Sequence, residues 1–325
     1  MTKKVLVVSF SFEQEPEALQ VLKDGGLEPY VWKEEDRKGA KEENLIALWN
    51  GMKEKPVGLL IGADLQVNRE VVEQCEGLKA VSLNCAGYDH LDRKALDEKG
   101  VRYCNVPRQN FSAVADLAWG LLIAVMRRIP FAERNIRSGK WVEGVARGVA
   151  VSSKTLGIIG FGAIGKAVAR RAKGFDMEVL AYDVFKDEKN EAEYGMKYVG
   201  KDELLERADA VILCCNANES TYHMMNRDAF RKMKKTAFLV NPARGALVDT
   251  DDLVEALKEG EIAGAAIDAY EEEPLFESPL FELDNVVVTP HIGGLADREI
   301  HNVAMKAAEN MVELLNDPDS QLKIV

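Results

Sequence analysis

Residues 155–165 read Thr155-Leu156-Gly157-Ile158-Ile159-Gly160-Phe161-Gly162-Ala163-Ile164-Gly165, and Asp183 stands 18 positions beyond Gly165. A short apolar run leads into the three glycines, and an amphipathic pattern continues through Val168 and Ala169. A second apolar run, Glu178–Tyr182, then ends in Asp183. Strand, Gly-x-Gly-x-x-Gly turn, helix, strand and terminal acid is the order that binds a dinucleotide. Gly160 permits the tight turn, Gly162 lets the backbone approach a pyrophosphate, and Gly165 allows the helix to pack on the strand. The helix start at Ala163-Ile164 stabilises the negative charge. Asp183 can accept both hydroxyls of an adenosine ribose and would repel a 2′-phosphate, so the expected cofactor is NAD and not NADP.

The same alternation extends in both directions. Upstream, Val5–Phe10, Val57–Ile61, Lys79–Leu83 and Val101–Asn105 read as strands. Between them Pro16–Lys23, Glu42–Asn50, Asn68–Cys75 and Asp92–Lys99 read as helices, several ending at glycine. Downstream, strands are expected at Thr155–Ile159, Glu178–Tyr182, Ala210–Cys214, Thr236–Val240, Gly264–Ala269 and Val286–Thr289. Helices are expected at Ala163–Lys173, Asp202–Glu206, Arg227–Met233, Thr250–Glu259 and Asp297–Asn316. Such alternation requires parallel pairing with crossover helices, hence an α/β protein of two doubly wound parallel sheets, the first ending near residue 105. The nearly uncharged helix Ser112–Met126 is expected to be buried against another domain or subunit, and Arg127-Arg128 and Gly139–Ser153 to form a loop-rich connection.

Composition narrows the partners. The 325 residues carry 42 Lys and Arg against 54 Asp and Glu, a net charge of −12. That field opposes nucleic acid and anionic lipid. The longest apolar run, Leu117–Met126, falls far short of a membrane span, and the start of the chain lacks a signal-peptide core. Five cysteines (75, 85, 104, 214, 215) form no Cys-x-x-Cys pair, which favours reduced thiols in a cytoplasmic protein and no zinc site. No His or Asp spacing suggests a metal.

A hydride acceptor needs an anion clamp, a proton donor and a group that tunes the donor. Arg244, Glu273 and His291 each follow an apolar strand of the second series, where open parallel sheets bind ligands. Singly, each has an ordinary reading as an ion-pair member, a solvated carboxylate or a structural hydrogen-bonder. Together, behind a dinucleotide fingerprint, they point to redox chemistry on an anionic carbonyl compound. His90, His223 and His301 read as structural or surface residues.

These segments resemble the D-isomer-specific 2-hydroxyacid dehydrogenases. The resemblance rests on Lys154–Gly165, on Ala243-Arg244-Gly245-Ala246-Leu247-Val248-Asp249, and on the segments ending in Glu273 and in Pro290-His291-Ile292-Gly293-Gly294. It implies a Rossmann NAD-binding domain (106–294) inserted into a flavodoxin-like substrate domain (1–105 plus 295–325), with hinges at Val106-Pro107 and near Pro290. The active site would lie in the cleft between them, in an enzyme that interconverts a 2-keto acid and a D-2-hydroxy acid and is a homodimer. His291 would be the acid/base, Glu273 would orient it and raise its pKa, and Arg244 would bind the substrate carboxylate and carbonyl. Backbone amides of Cys85-Ala86-Gly87 would hold the other carboxylate oxygen. Asp268 would take the nicotinamide carboxamide, and Cys215, Asn216, Pro242, Ala243 and Gly293 would complete the cofactor contacts.

Departures from the family pattern bear on substrate. Cys214-Cys215-Asn216-Ala217-Asn218 replaces a usual His-x-Pro-Leu-Thr, and Pro242 stands where a small hydroxyl residue is common. The Tyr usual near Gln109 in the D-lactate branch is missing. No Arg lies near Gly62-Ala63-Asp64 to meet a phosphate, and Asp64 would repel one, so a simple hydroxy acid is expected. Arg108, at the hinge, could serve a second acidic group or the surface. Two other readings of the same fold are an NADH-sensing corepressor and a formate- or phosphonate-type dehydrogenase.

Overall fold

The structure, a computed structural model, describes residues 2–37, 39–63, 65–145 and 147–324, so Asp64 lies outside the described residues. The chain divides into two compact units, Met1–Asn110 with Leu295–Val325, and Phe111–Gly294. Residues 106–110, expected with the second, group with the first.

The first unit holds five parallel strands: β1 (Lys3–Val8), β2 (Leu27–Val31), β3 (Gly58–Ile61), β4 (Ala80–Leu83) and β5 (Arg102–Cys104), in the order β2-β1-β3-β4-β5. This is the flavodoxin-like order. Strand β2 went unread in the sequence because Leu27-Glu28-Pro29-Tyr30-Val31 carries a charge and a proline. Both are tolerated because β2 is an edge strand, where a missing N–H costs no ladder bond on the outer side. Strand β1 starts and ends two residues earlier than expected, since Phe10 caps a short helix, Ser11–Gln14. The final helix, Asp297–Asn316, buries Ala304, Ala307, Ala308, Met311 and Leu314 against this sheet.

The second unit holds seven parallel strands: β6 (Thr155–Ile159), β7 (Glu178–Tyr182), β8 (Met196–Tyr198), β9 (Ala210–Leu213), β10 (Phe238–Asn241), β11 (Gly264–Ile267) and β12 (Val286–Val288). Their order, β12-β11-β10-β9-β6-β7-β8, reverses between β6 and β9, as in a Rossmann sheet. Because strand side chains alternate, the sheet has one core on each face. Val211 and Leu213 enter one core and Ile212 the other, and Cys214 and Cys215 divide the same way. Each buried aliphatic side chain contributes about 1.5–3 kcal/mol.

The apolar helix Phe111–Met126, expected to be buried against another domain or subunit, packs on the core of its own unit. Trp119 stacks on Phe175 at 4.6 Å and donates to the Val168 carbonyl at 3.1 Å. Its one exposed acid, Asp116, pairs with Arg171 at 2.7 Å. A helix at Ile129–Arg137, entered through Pro130, precedes the irregular stretch up to β6.

Candidate active site

The site is built on the carboxyl ends of the second sheet. After β6 the chain turns sharply at Gly160, whose φ of 93° lies in the left-handed region. A Cβ there would meet the Cys215 nitrogen at 2.6 Å, and one on Gly165 would meet the Gly160 carbonyl oxygen at 2.2 Å. A Cβ on Gly162 would meet nothing within 4 Å. Two glycines therefore close the turn, and the third leaves open space in front of the helix Ala163–Ala172. This cradle fits a pyrophosphate, with the amides at Ala163 and Ile164 as donors. Asp183, beyond β7, accepts the Phe161 N–H at 2.6 Å through one oxygen and the Phe185 N–H at 2.8 Å through the other. Each oxygen keeps a second lone pair for a ribose hydroxyl. Burial, reinforced by the Asp183 charge, pushes the Cys215 thiol up to about 11, so it stays neutral beside the cradle. Asn216, exposed after it, accepts the Thr221 hydroxyl at its carbonyl, 2.9 Å away.

The three loops after β10, β11 and β12 carry the charged groups. Asn241, fully buried at the end of β10, accepts the Ala243 N–H at 3.1 Å and donates to the Arg244 carbonyl at 2.8 Å. Those bonds fold Asn241-Pro242-Ala243-Arg244 into a fixed turn. The Arg244 guanidinium donates to the Ala243 carbonyl at 2.8 Å. After β11, fully buried Asp268 accepts the Thr289 hydroxyl at 2.6 Å and the N–H groups of Ile292 and Gly293, each at 2.9 Å. Its own carbonyl accepts the His291 N–H at 2.9 Å. Asp268 thus shapes the His291 loop, and one lone pair on Oδ2 is left for a carboxamide.

His291 has φ 52°, a left-handed position that histidine tolerates better than most residues. That bend brings Nδ1 to 2.6 Å from the Glu273 carboxylate. Among the described residues Nε2 makes no hydrogen bond, so it is the ring nitrogen available to substrate. Glu273 also accepts the Tyr270 N–H at 2.8 Å. Burial pushes the Glu273 carboxyl up, but the bonds from His291 and Tyr270, with the charges on His291 and Arg244, outweigh it. The carboxyl is held below the usual glutamate range, and all three predicted groups act on one another.

A depressed folded-state value means that the Glu273–His291 contact contributes above the ordinary carboxylate range and is lost as pH falls through the lowered value. The acid limb of kcat/KM for keto-acid reduction is expected below about pH 4.3, the ordinary glutamate value. A pH–rate series of the wild type and Glu273→Gln checks this: the variant has no such limb. A wild-type limb above that value would contradict the arrangement.

The predicted residues Cys85-Ala86-Gly87 belong to the first unit, in the turn after β4. There the Cys85 carbonyl accepts the Val106 N–H at 3.0 Å and the Ala86 carbonyl accepts the Asn105 amide at 2.7 Å. Sequence reasoning missed Asn241 and Tyr270. Tyr270 donates its hydroxyl toward the Thr289 carbonyl at 2.9 Å, and burial pushes it up to about 12. Asn241, at the end of an apolar strand and three residues before Arg244, was the available signal.

Fold and loops together define a dinucleotide-dependent dehydrogenase, and the likeness to known proteins makes the class specific. Residues 119–293 match the family described as D-isomer specific 2-hydroxyacid dehydrogenase, NAD binding domain. The chain is 39% identical over 290 residues to a glyoxylate reductase of Pyrococcus horikoshii, covering 84% of this chain and 87% of that protein. It is 42% identical over 258 residues to a glyoxylate reductase of Thermococcus onnurineus, covering 77% of each. Among solved structures, the TT0316 protein of Thermus thermophilus superposes with a TM-score of 0.86 at 33% identity, covering 99% of this chain and 100% of that one. The apo D-lactate dehydrogenase of Escherichia coli gives 0.85 at 29% identity, with the same coverage of each chain.

This chain belongs to the D-isomer-specific 2-hydroxyacid dehydrogenases. It is an NAD-dependent oxidoreductase that interconverts a 2-keto acid and a D-2-hydroxy acid. The corepressor and formate- or phosphonate-type readings are not favoured.

Proposed function

We propose that the chain reduces glyoxylate and other small, unphosphorylated 2-keto acids, with NADH preferred to NADPH. The observation that carries this reading is the 2.6 Å contact of His291 Nδ1 with Glu273, in a loop beside Arg244. When bound, the nicotinamide supplies or accepts the hydride. Arg244 binds the substrate carboxylate and polarises the carbonyl by charge-assisted hydrogen bonds. His291 donates its Nε2 proton to the ketone oxygen and recovers a proton from solvent, while Glu273 holds the ring in one orientation. The backbone amides of Cys85-Ala86-Gly87 are assigned the second carboxylate oxygen. Gly160, Gly162, Ala163, Ile164 and Gly165 are assigned the pyrophosphate, Asp183 the ribose, and Asp268 the carboxamide. Cys215, Asn216, Pro242, Ala243 and Gly293 line the same cofactor.

The substrate choice draws on the glyoxylate reductases among the relatives. NADH loss with a panel of glyoxylate, hydroxypyruvate, pyruvate and branched keto acids tests it. Turnover is expected to be greatest with the smallest members. Preference for a bulky or phosphorylated keto acid would overturn the choice.

A homodimer is proposed on different grounds from those in the sequence. Ile129 and Ile136 are about half exposed, and Trp141 and Val142 lie 71% and 68% exposed close by in the chain. These exposed apolar side chains, close in sequence, are assigned to the dimer contact. A cytoplasmic setting is consistent with five free cysteines. No helix among the described residues is long and apolar enough to cross a membrane.

A further inference from the structure

The sequence assigns His223 no role beyond structure or surface, yet its ring lies between two carboxylates from different loops. Nε2 is 2.6 Å from Glu271 and Nδ1 is 3.2 Å from Asp249. The Nε2 contact is a hydrogen bond, and the Nδ1 contact is an ion-pair distance. Among the described residues His223 is the one basic side chain paired with either acid. The second oxygen of Glu271 accepts the Thr250 hydroxyl and, at 3.3 Å, its N–H. The second oxygen of Asp249 accepts the Asp252 N–H at 3.0 Å and caps the helix Thr250–Glu259. Every carboxylate oxygen in the cluster is therefore used.

The backbone follows the same plan. The His223 N–H donates to the Ala246 carbonyl at 2.9 Å, the Met225 N–H to Leu247 at 3.0 Å, and the Asp249 N–H to Met225 at 3.0 Å. His223 takes φ 47°, left-handed for a residue with a side chain, and Tyr222 stacks on its ring at 3.9 Å. On the other side, Gly245 lies so close to Tyr270 that a Cβ would fall 1.8 Å from its carbonyl carbon. Three segments thus meet around one imidazole: the turn at 222–225, the segment 244–250, and the loop 270–273. Arg244 begins the second, and Glu273 ends the third.

We propose that His223, Asp249 and Glu271 form a brace that fixes Arg244 relative to Glu273, which makes His223 a positioning residue for the substrate clamp. The inference rests on the reading of Arg244 as that clamp. Without the imidazole, two carboxylates face each other across the gap, and like charges drive the two loops apart. The Arg244 turn then shifts against Glu273. The dinucleotide cradle, on the loops after β6 and β7, has no member in this cluster.

The test compares His223→Ala, His223→Gln and Glu271→Gln with Arg244→Lys. Glu271→Gln keeps the volume and the Thr250 bonds, so it reports even if His223→Ala folds poorly. His223→Ala and Glu271→Gln are expected to raise KM for glyoxylate about tenfold or more, as misplacement by an ångström can do. NADH affinity, read by fluorescence titration, is expected to change less than the glyoxylate KM, because neither the glycine cradle nor Asp183 belongs to the brace. His223→Gln, which retains one donor, recovers part of the KM. If Arg244→Lys raises KM but His223→Ala and Glu271→Gln lower only kcat, or leave both constants unchanged, the brace is refuted. If Arg244→Lys itself leaves KM unchanged, the clamp reading fails and takes the brace with it.

Discussion

His291→Asn is expected to keep the fold and the affinity for NADH while lowering kcat for keto-acid reduction by about 10²–10⁴-fold, the usual worth of a general acid. Asparagine is the informative substitution. The residue sits at φ 52°, where asparagine is among the best-tolerated side chains, so the backbone is not strained by the change. Its amide can still donate toward Glu273, replacing the 2.6 Å contact now made by Nδ1. What disappears is the second ring nitrogen, and with it a proton donor facing the ketone. Steady-state kinetics and an NADH titration of the same preparation separate the two effects. A kcat within tenfold of wild type would mean that another group donates the proton.

Gly245→Ala should produce the largest structural effect. The added methyl would overlap the backbone of Tyr270 and Glu271, at 1.8 Å from a carbonyl carbon and 2.2 Å from a nitrogen. A backbone neighbour cannot swing aside as a side chain can. The segment carrying Arg244 must separate from the loop carrying Glu273. Overpacking of this severity costs about 3 kcal/mol, which lowers the thermal midpoint of a unit this size by roughly 6–12 °C. Keto-acid KM rises in the same variant. Gly162→Ala is the contrast: its Cβ meets nothing in the chain, so the midpoint is expected to hold. NADH affinity falls instead, because the methyl occupies the space a pyrophosphate would take. Calorimetry and NADH titration of the two variants distinguish packing from cofactor approach, and equal midpoints would contradict the Gly245 contact.

The sequence was most legible where one local signal governs. Strands Thr155–Ile159 and Glu178–Tyr182 and helices Thr250–Glu259 and Asp297–Asn316 have the bounds their apolar patterns indicate. In the structure the helix from Thr250 is capped by the Asp249 side chain and ends at Gly260 in left-handed conformation. Two of the four edge strands were not legible, because β2 carries a charge and a proline and β8 has only three residues, whereas the edges β5 and β12 keep short apolar runs. The helix Phe111–Met126 illustrates the opposite failure. Its uniform hydrophobicity showed that it is buried but could not show against what.

The charged site divides along the same line. Arg244, Glu273 and His291 could be found because each lies in the loop just after an apolar strand. His223 and Glu271 could not, because they are 48 residues apart and meet only through the order of β9, β10 and β11 in the sheet. Asp268 was expected at the nicotinamide, and its three hydrogen bonds to the His291 loop were invisible until Thr289, Ile292 and Gly293 were placed around it.

This site is assigned the NADH-dependent, D-specific reduction of a small keto acid. Its most direct measurement is NADH oxidation with glyoxylate and with hydroxypyruvate, with chiral analysis of the second product and NADPH in parallel. The expected result is turnover of both acids, a D-configured product, and a preference for NADH imposed by Asp183. An L-configured product, or no oxidation of NADH with either acid, would rule this function out.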